Sequence, residues 1–273
     1  GERAARAHLP VLIEGESGVG KHLFARAIQG ASDRRGKPFL SINCASLPEG
    51  EAEALLFGME NGTDRAQGKF AEAHGGTLFL DEVGRLSRDL QARLLRLIQD
   101  GEIELGSGKR PQKIDVRLIS ATSQNLIQQV KAGLFREDLY YRLNVIPVKI
   151  PALRERKSDI PNLIQHFITQ FNQATGHSVE MPQGQILEAL MAYDWPGNVR
   201  ELENMIRRLA ALSPHETITE PLVAAEFTEV PQSPSGDAPS IAPKSLMDSV
   251  EHHLEAYFAK FKGELPPPGL YHR

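Results

Sequence analysis

An apolar, strand-like stretch near the start of the chain, Leu9-Pro10-Val11-Leu12-Ile13, runs into Glu14-Gly15-Glu16-Ser17-Gly18-Val19-Gly20-Lys21-His22 and then into a helical pattern, Leu23 to Ile28. Gly15, Gly20 and Lys21 occupy the fixed places of the phosphate-loop template G-x-x-x-x-G-K, in the strand–turn–helix context that gives the template meaning. Such a turn aims successive backbone N–H groups at a polyphosphate, the helix N-terminus adds partial positive charge, and the lysine adds a full one. Gly15, Glu16, Ser17, Gly18, Val19, Gly20, Lys21 and His22 are therefore the candidate phosphate cradle. His22 stands where the template has a Ser or Thr hydroxyl for Mg²⁺, and its plainest reading is a solvent-facing substitution.

A loop of this kind needs a parallel sheet behind it, and the next part of the chain reads as one. Buried strands are expected at Pro38–Asn43, Thr77–Leu80, Val116–Ala121 and Asn144–Ile150, with helices at Glu49–Phe57 and Leu86–Gln99 between them. Apolar runs alternating with amphipathic helices imply an α/β fold with helices on both faces of a parallel sheet. After Pro151 the pattern is helical only. Ile160, Leu163, Ile164, Phe167, Ile168 and Phe171 form one stripe, and Leu187–Tyr193 and Val199–Leu212 continue it. The expected organisation is an α/β subdomain over residues 1–150, a helical lid over 151–226 and a Pro/Ser-rich linker over 227–244. A C-terminal amphipathic helix within 245–273 completes it.

The 273 residues are enough for a real core, and a net charge of −4 argues against a surface that binds nucleic acid throughout. Cys44 is the single cysteine, which excludes an internal disulfide and fits a reducing compartment. There is no apolar run of membrane-spanning length and no signal-peptide pattern, so a cytoplasmic protein without a membrane partner is expected. The chain opens within a helical pattern, Glu2 to Ala7, and the expectation is a fragment of a longer protein.

Four apolar residues, Thr77 to Leu80, lead into Asp81-Glu82. An acidic residue at the end of a strand beside a phosphate loop can hold Mg²⁺, and a following carboxylate can deprotonate an attacking water. The pairing points to ATP hydrolysis rather than to ATP binding alone.

Longer motifs then identify a family. G-E-S-G-V-G-K, S-I-N-C-A-S-L-P, G-K-F-A-E-A-H-G-G-T-L-F-L-D-E-V-G, G-L-F-R-E-D-L-Y-Y-R-L-N-V, L-R-E-R-K-S-D-I-P and D-W-P-G-N-V-R-E-L-E-N occur in family order up to about Ala224. Together they resemble the central AAA+ ATPase module of bacterial sigma-54-dependent enhancer-binding activators of the NtrC type. The resemblance implies a P-loop AAA+ core with an all-helical lid, and a role for each matching residue. Gly15 to Lys21 would be Walker A, and Asp81 (the Mg²⁺ ligand) with Glu82 Walker B. Asn43 would restrain the catalytic glutamate. Thr122 and Ser123 would sense the γ-phosphate. Arg136 and Arg142 would reach a neighbour's ATP, and Arg200 would be the sensor II arginine of the helical lid.

The same resemblance implies self-association into a hexameric or heptameric ring, dimeric when inactive, with ATP and Mg²⁺ at sites shared between subunits. It also implies an RNA polymerase sigma factor as partner, with DNA contacted only through a C-terminal domain outside this chain. One departure stands out. The family's sigma-54-gripping signature G-A-F-T-G-A is missing after Phe57-Gly58, where the chain reads Met59 to Gln67 and resumes the pattern at Gly68. Two functions follow: a ring ATPase with an atypical polymerase contact, or a nucleotide-gated regulator of oligomerisation and promoter occupancy acting with housekeeping polymerase.

Overall fold

The computed structural model describes residues 9–48, 50–61, 64–103, 111–213 and 217–229. The expected helix at residues 2–7, the C-terminal helix and nearly all of the linker lie outside the described residues. Five parallel strands form the central sheet: β1 (Val11–Glu14), β2 (Phe39–Asn43), β5 (Thr77–Asp81), β8 (Arg117–Thr122) and β9 (Ile146–Lys149). Their order across the sheet is β2-β5-β8-β1-β9. The register sets Asn43 beside Asp81 and Glu14 beside Thr122 and Lys149, so the polar strand ends share one edge.

The three inner strands, β1, β5 and β8, are short and almost wholly buried, as burial on both faces requires, whereas the edge strands β2 and β9 are only partly buried. On one face Val11, Ile13, Phe79, Ile119 and Ala121 pack with Ala25 and Ile28 of α1 (Lys21–Gly30). On the other, Leu12, Leu78, Leu80 and Leu118 pack against the remaining core helices. These are α2 (Ala52–Phe57), α3 (Lys69–Glu72), α4 (Arg88–Asp100), α5 (Leu126–Lys131) and α6 (Glu137–Leu143).

Local chemistry sets the helix limits. α4 starts two residues later than its periodicity suggests, because the Ser87 hydroxyl accepts from Leu90 N at 3.4 Å and caps it; Gly101, at φ 67°, ends it. α2 starts at Ala52 rather than Glu49, after Gly50 turns the chain with φ 83°. Two antiparallel hairpins, β3 (Gly58–Asn61) with β4 (Asp64–Gln67) and β6 (Glu102–Ile103) with β7 (Gln112–Lys113), were not expected from the sequence. Their strands are too short or too polar to alternate visibly. Gly68 closes the first hairpin: a Cβ there would sit 2.2 Å from Gly58 N.

The lid helices are α7 (Ile160–Thr175), α8 (Gln185–Ala192), α9 (Asn198–Leu212) and α10 (Glu220–Glu229). Ile160, Ile164, Phe167 and Ile168 of α7 meet Leu202, Met205, Ile206 and Leu209 of α9 in a separate apolar cluster. At its centre Trp195 is fully buried and donates from Nε1 to Leu190 O at 2.8 Å. α10 runs to Glu229, past residue 226 where the lid was expected to end. Phe227 holds that turn by packing on Tyr193 and Trp195, at 4.8 and 6.4 Å between ring centroids. Among the described residues no helix is long and apolar enough to cross a membrane.

Ile164 lies at the centre of this cluster and Trp195 is the chain's only tryptophan. Ile164→Ala should cost about 2–5 kcal/mol of lid stability, read as an earlier shift of tryptophan emission in urea. An unchanged midpoint would refute the lid core described above.

Candidate active site

The phosphate loop joins the end of β1 to the start of α1, and Lys21 is the first residue of that helix. Lys21 is 6% exposed; its Nζ donates to Gly15 O at 2.9 Å and Glu16 O at 3.1 Å, and lies 3.3 Å from Glu82 Oε1. The loop is thereby pinned around a buried cation. Gly18 has φ 81°, and a Cβ on it would fall 2.2 Å from Gly197 O of the lid, so both its backbone and its surroundings demand glycine. Val19 is buried beneath the loop, against Gly15.

Ser17, Gly18, Gly20, Lys21, His22, Asp81, Glu82 and Arg200 line one cavity of about 180 Å³. Gly15, Glu16, Thr122 and Ser123 border a second, of about 340 Å³, on the other side of the loop. Arg136 and Arg142 line neither. Arg136 stands at the N-cap position of α6 without a side-chain capping bond and pairs with Asp138, 2.7 Å from Nη2 to Oδ2, and Arg142 lies exposed on the last turn of α6.

The acid pair shows two environments. Burial pushes the Asp81 carboxyl above the usual carboxylate range, with Glu82 adding to the effect and Lys21 opposing it. Burial also raises Glu82, but the Ser123 N–H and hydroxyl, at 3.0 and 2.8 Å, and the Lys21 ammonium outweigh it and hold Glu82 below its ordinary value. Glu82 adopts φ 54°, a left-handed conformation that is strained outside glycine.

Asn43, expected to restrain Glu82, is beside Asp81 on the neighbouring strand, and its Oδ1 accepts from Ala45 N at 2.9 Å. The Glu82 carboxylate is held by Ser123 and Lys21 instead. Thr122 is buried, with its hydroxyl turned into its own loop towards Gln124. His22 is exposed, but its ring leans edge-on against Phe79 and Phe39, at 5.5 and 6.0 Å between centroids.

The lid grips the loop through residues that the sequence reading quoted only inside motifs. Arg154 makes a bidentate pair with Glu16, at 2.8 and 2.5 Å. The Asn198 amide donates to Glu16 Oε2 at 3.1 Å and Ser17 O at 3.0 Å while accepting from Leu153 N at 2.8 Å. Arg156 donates to Val19 O at 2.9 Å, and Arg200 N to Gly18 O at 3.3 Å. The Arg200 side chain reaches Ser17 Oγ at 3.4 Å, which brings a lid cation to the phosphate cradle.

A phosphate loop at the end of a five-stranded parallel sheet, an acid pair facing its lysine and a helical lid delivering an arginine define the AAA+ class of P-loop ATPase. The Sigma-54 interaction domain family matches residues 1–149 and the AAA+ ATPase lid domain matches residues 154–239. The chain belongs to the sigma-54 interaction domain family. It is 45% identical to the DNA-binding transcriptional regulator NtrC of Rhizobium meliloti (strain 1021), over 99% of this chain and 57% of that protein. It is also similar to crystal structures of NtrX from Brucella abortus. The ADP complex has 37% identity and a TM-score of 0.76, covering 96% of this chain and 58% of that one; the ATP complex has 35% and 0.74, covering 95% and 58%. The chain thus spans little more than half the length of these relatives.

Glu16 titrates at about 2 instead of 4.5, chiefly through its hydrogen bonds from Arg154 and Asn198. A depressed folded pKa contributes stability above the unfolded value and loses it as pH falls through the folded one. The stability difference between the wild type and Glu16→Gln should therefore be constant at neutral pH and shrink as pH drops from 4.5 towards about 2. A pH-independent difference in acid denaturation curves would exclude this role for the contact.

Proposed function

We propose that the chain binds ATP in the cavity between phosphate loop and lid and hydrolyses it within a ring whose sites are completed by the next subunit. The observation that carries this reading is the convergence of Lys21, Asp81, Glu82 and Arg200 on one cavity at the carboxyl ends of β1 and β5. The loop amides and Lys21 would take the β- and γ-phosphates. Glu82, held ionised by Ser123 and Lys21, is the base for water, and Arg200 steadies the phosphates from the lid.

The site suits Mg²⁺. Among the described residues there is no cluster of three metal-ligating side chains, which agrees with an ion held by one or two carboxylates plus phosphates and water. Asp81, half-buried and facing Lys21, is the carboxylate for it. When bound, the ion would neutralise charge on the transferred phosphoryl group.

Arg136 and Arg142 line neither cavity of their own subunit, and both are displayed on α6. They are assigned to the neighbour's ATP. Turnover per subunit should then rise with protein concentration, and Lys21→Ala should lose nucleotide binding. Glu82→Gln should bind ATP while losing about 10²–10⁴ in turnover. Arg136→Ala and Arg142→Ala should also keep binding and lose about 10³ or more. ATP turnover independent of concentration, or intact in the arginine variants, would exclude the shared site.

The hairpin β3–β4 favours a second reading for the output. Gly58 pairs with Gln67 where the family carries its G-A-F-T-G-A segment, and that string is absent from the chain. In this reading nucleotide controls oligomerisation and promoter occupancy without remodelling sigma-54 polymerase. The two separate in one binding experiment with ADP and aluminium fluoride: tight capture of sigma-54 would refute the second reading. DNA contact is assigned to the part of the protein outside this chain.

A further inference from the structure

Gln91 lies in the middle of α4, fully buried, in a position where an apolar side chain would satisfy the packing. Its amide is engaged on both sides. Nε2 donates to Leu86 O at 2.8 Å and to Leu134 O at 3.1 Å, and Oε1 accepts from Arg136 N at 2.9 Å. One side chain thus clasps two loops. The first follows the acid pair directly: Glu82, a single 3₁₀ turn over Val83–Arg85, then Leu86. That turn is closed by Arg85 N donating to Glu82 O at 2.9 Å and Leu86 N donating to Val83 O at 3.2 Å. The second presents Arg136 at the start of α6, anchored by Phe135, which is 1% exposed.

The backbone of Arg136 is therefore fixed through a hydrogen-bonded amide to the turn that leaves Glu82. We propose that Gln91 is a positioning residue for Arg136: it sets where the arginine stands on the subunit surface and ties that position to the Glu82 turn of the same subunit. A change at one subunit's acid pair would then move the arginine it offers to the next. The proposal rests on the reading that Arg136 acts on a neighbour's ATP.

The test uses Gln91→Leu, which removes all three hydrogen bonds, and Gln91→Glu, which keeps the shape and the acceptor but loses the donors. Both should bind a fluorescent ATP analogue as the wild type does, because the clasp lies away from the phosphate loop. Both should turn over ATP about 100-fold more slowly at concentrations where the wild type is fully active, the loss expected from an ångström of misplacement. The deciding measurement is mixing with Glu82→Gln, which cannot hydrolyse ATP but carries an intact Gln91 and Arg136.

A Gln91 variant keeps its own Glu82, so in a mixed ring it should regain turnover beside a Glu82→Gln neighbour. A mixture of Arg136→Ala with Glu82→Gln is the control. Recovery in the control but not in the Gln91 mixtures would overturn the proposal, because the defect would then lie in the variant's own site. Wild-type turnover by either Gln91 variant alone would also overturn it. Failure of the control would instead sink the neighbouring-arginine reading, and the Gln91 proposal with it. Should Gln91→Leu fail to bind nucleotide through misfolding, Gln91→Glu carries the same comparison.

Discussion

The phosphate loop is held in shape from two sides, and the rest of the site depends on both. From within, Lys21 is buried and bonded to the carbonyls of Gly15 and Glu16, which closes the loop around its own cation. From outside, the lid contributes Arg154, Arg156, Asn198 and the backbone of Arg200, each bonded to a residue between Glu16 and Val19. Charge-assisted and bidentate bonds of this kind are stronger than neutral ones, and several fix an orientation that one would not. A lid bonded to four consecutive loop residues cannot shift without disturbing the phosphate cradle. With ATP in the proposed cavity, these bonds would give a mechanical route between nucleotide and lid position.

The chemistry at the cavity follows from separating two adjacent carboxylates. Burial makes Asp81 a reluctant anion, one that gains from an added positive charge. Glu82 meets the same burial, but the Ser123 amide and hydroxyl and the Lys21 ammonium offset it, so it stays ionised and able to accept a proton. Ser123 thereby acts on the acid pair itself, one residue after the strand that brings it there. The left-handed turn at Glu82 aims the carboxylate towards Ser123 and Lys21, whereas Asn43, beside Asp81 on β2, is occupied in capping its own turn.

Much of this was legible in the sequence because it depends on local pattern. The glycine spacing fixed the loop, four apolar residues before Asp81-Glu82 fixed β5, and the stripe from Ile160 to Phe171 fixed α7 and the face it buries. What escaped depends on contacts between distant residues. Glu16 and Arg154 lie 138 positions apart, and no spacing rule joins them, although both stand inside motifs already recognised. Gln91 escaped for the opposite reason: a glutamine in an amphipathic helix reads as surface, and only the loops folded over it make it interior. Thr122 and Ser123 were expected to sense the γ-phosphate at the end of β8; in the structure their hydroxyls bond Gln124 O and Glu82 Oε2 respectively. The hairpins were missed because short polar strands carry no periodic signal.

Backbone strain points to the same junction. Among the described residues, the non-glycine positions with positive φ are Glu82 at 54°, Trp195 at 50° and Asn198 at 56°. Each costs on the order of 1–3 kcal/mol and persists only where its surroundings over-determine it. For Trp195 the surroundings are the lid core and the bond to Leu190 O; for Asn198 they are its bonds to Leu153, Glu16 and Ser17. For Glu82 they are Ser123 and Lys21. Two of these restraint sets include atoms of the phosphate loop or its lysine. A ligand that competes for Lys21 would loosen Glu82, and one that competes for Glu16 or Ser17 would loosen Asn198. On the proposed reading of Glu82 as the base, its position and the lid's hold would be linked through the phosphate loop that both restraint sets touch.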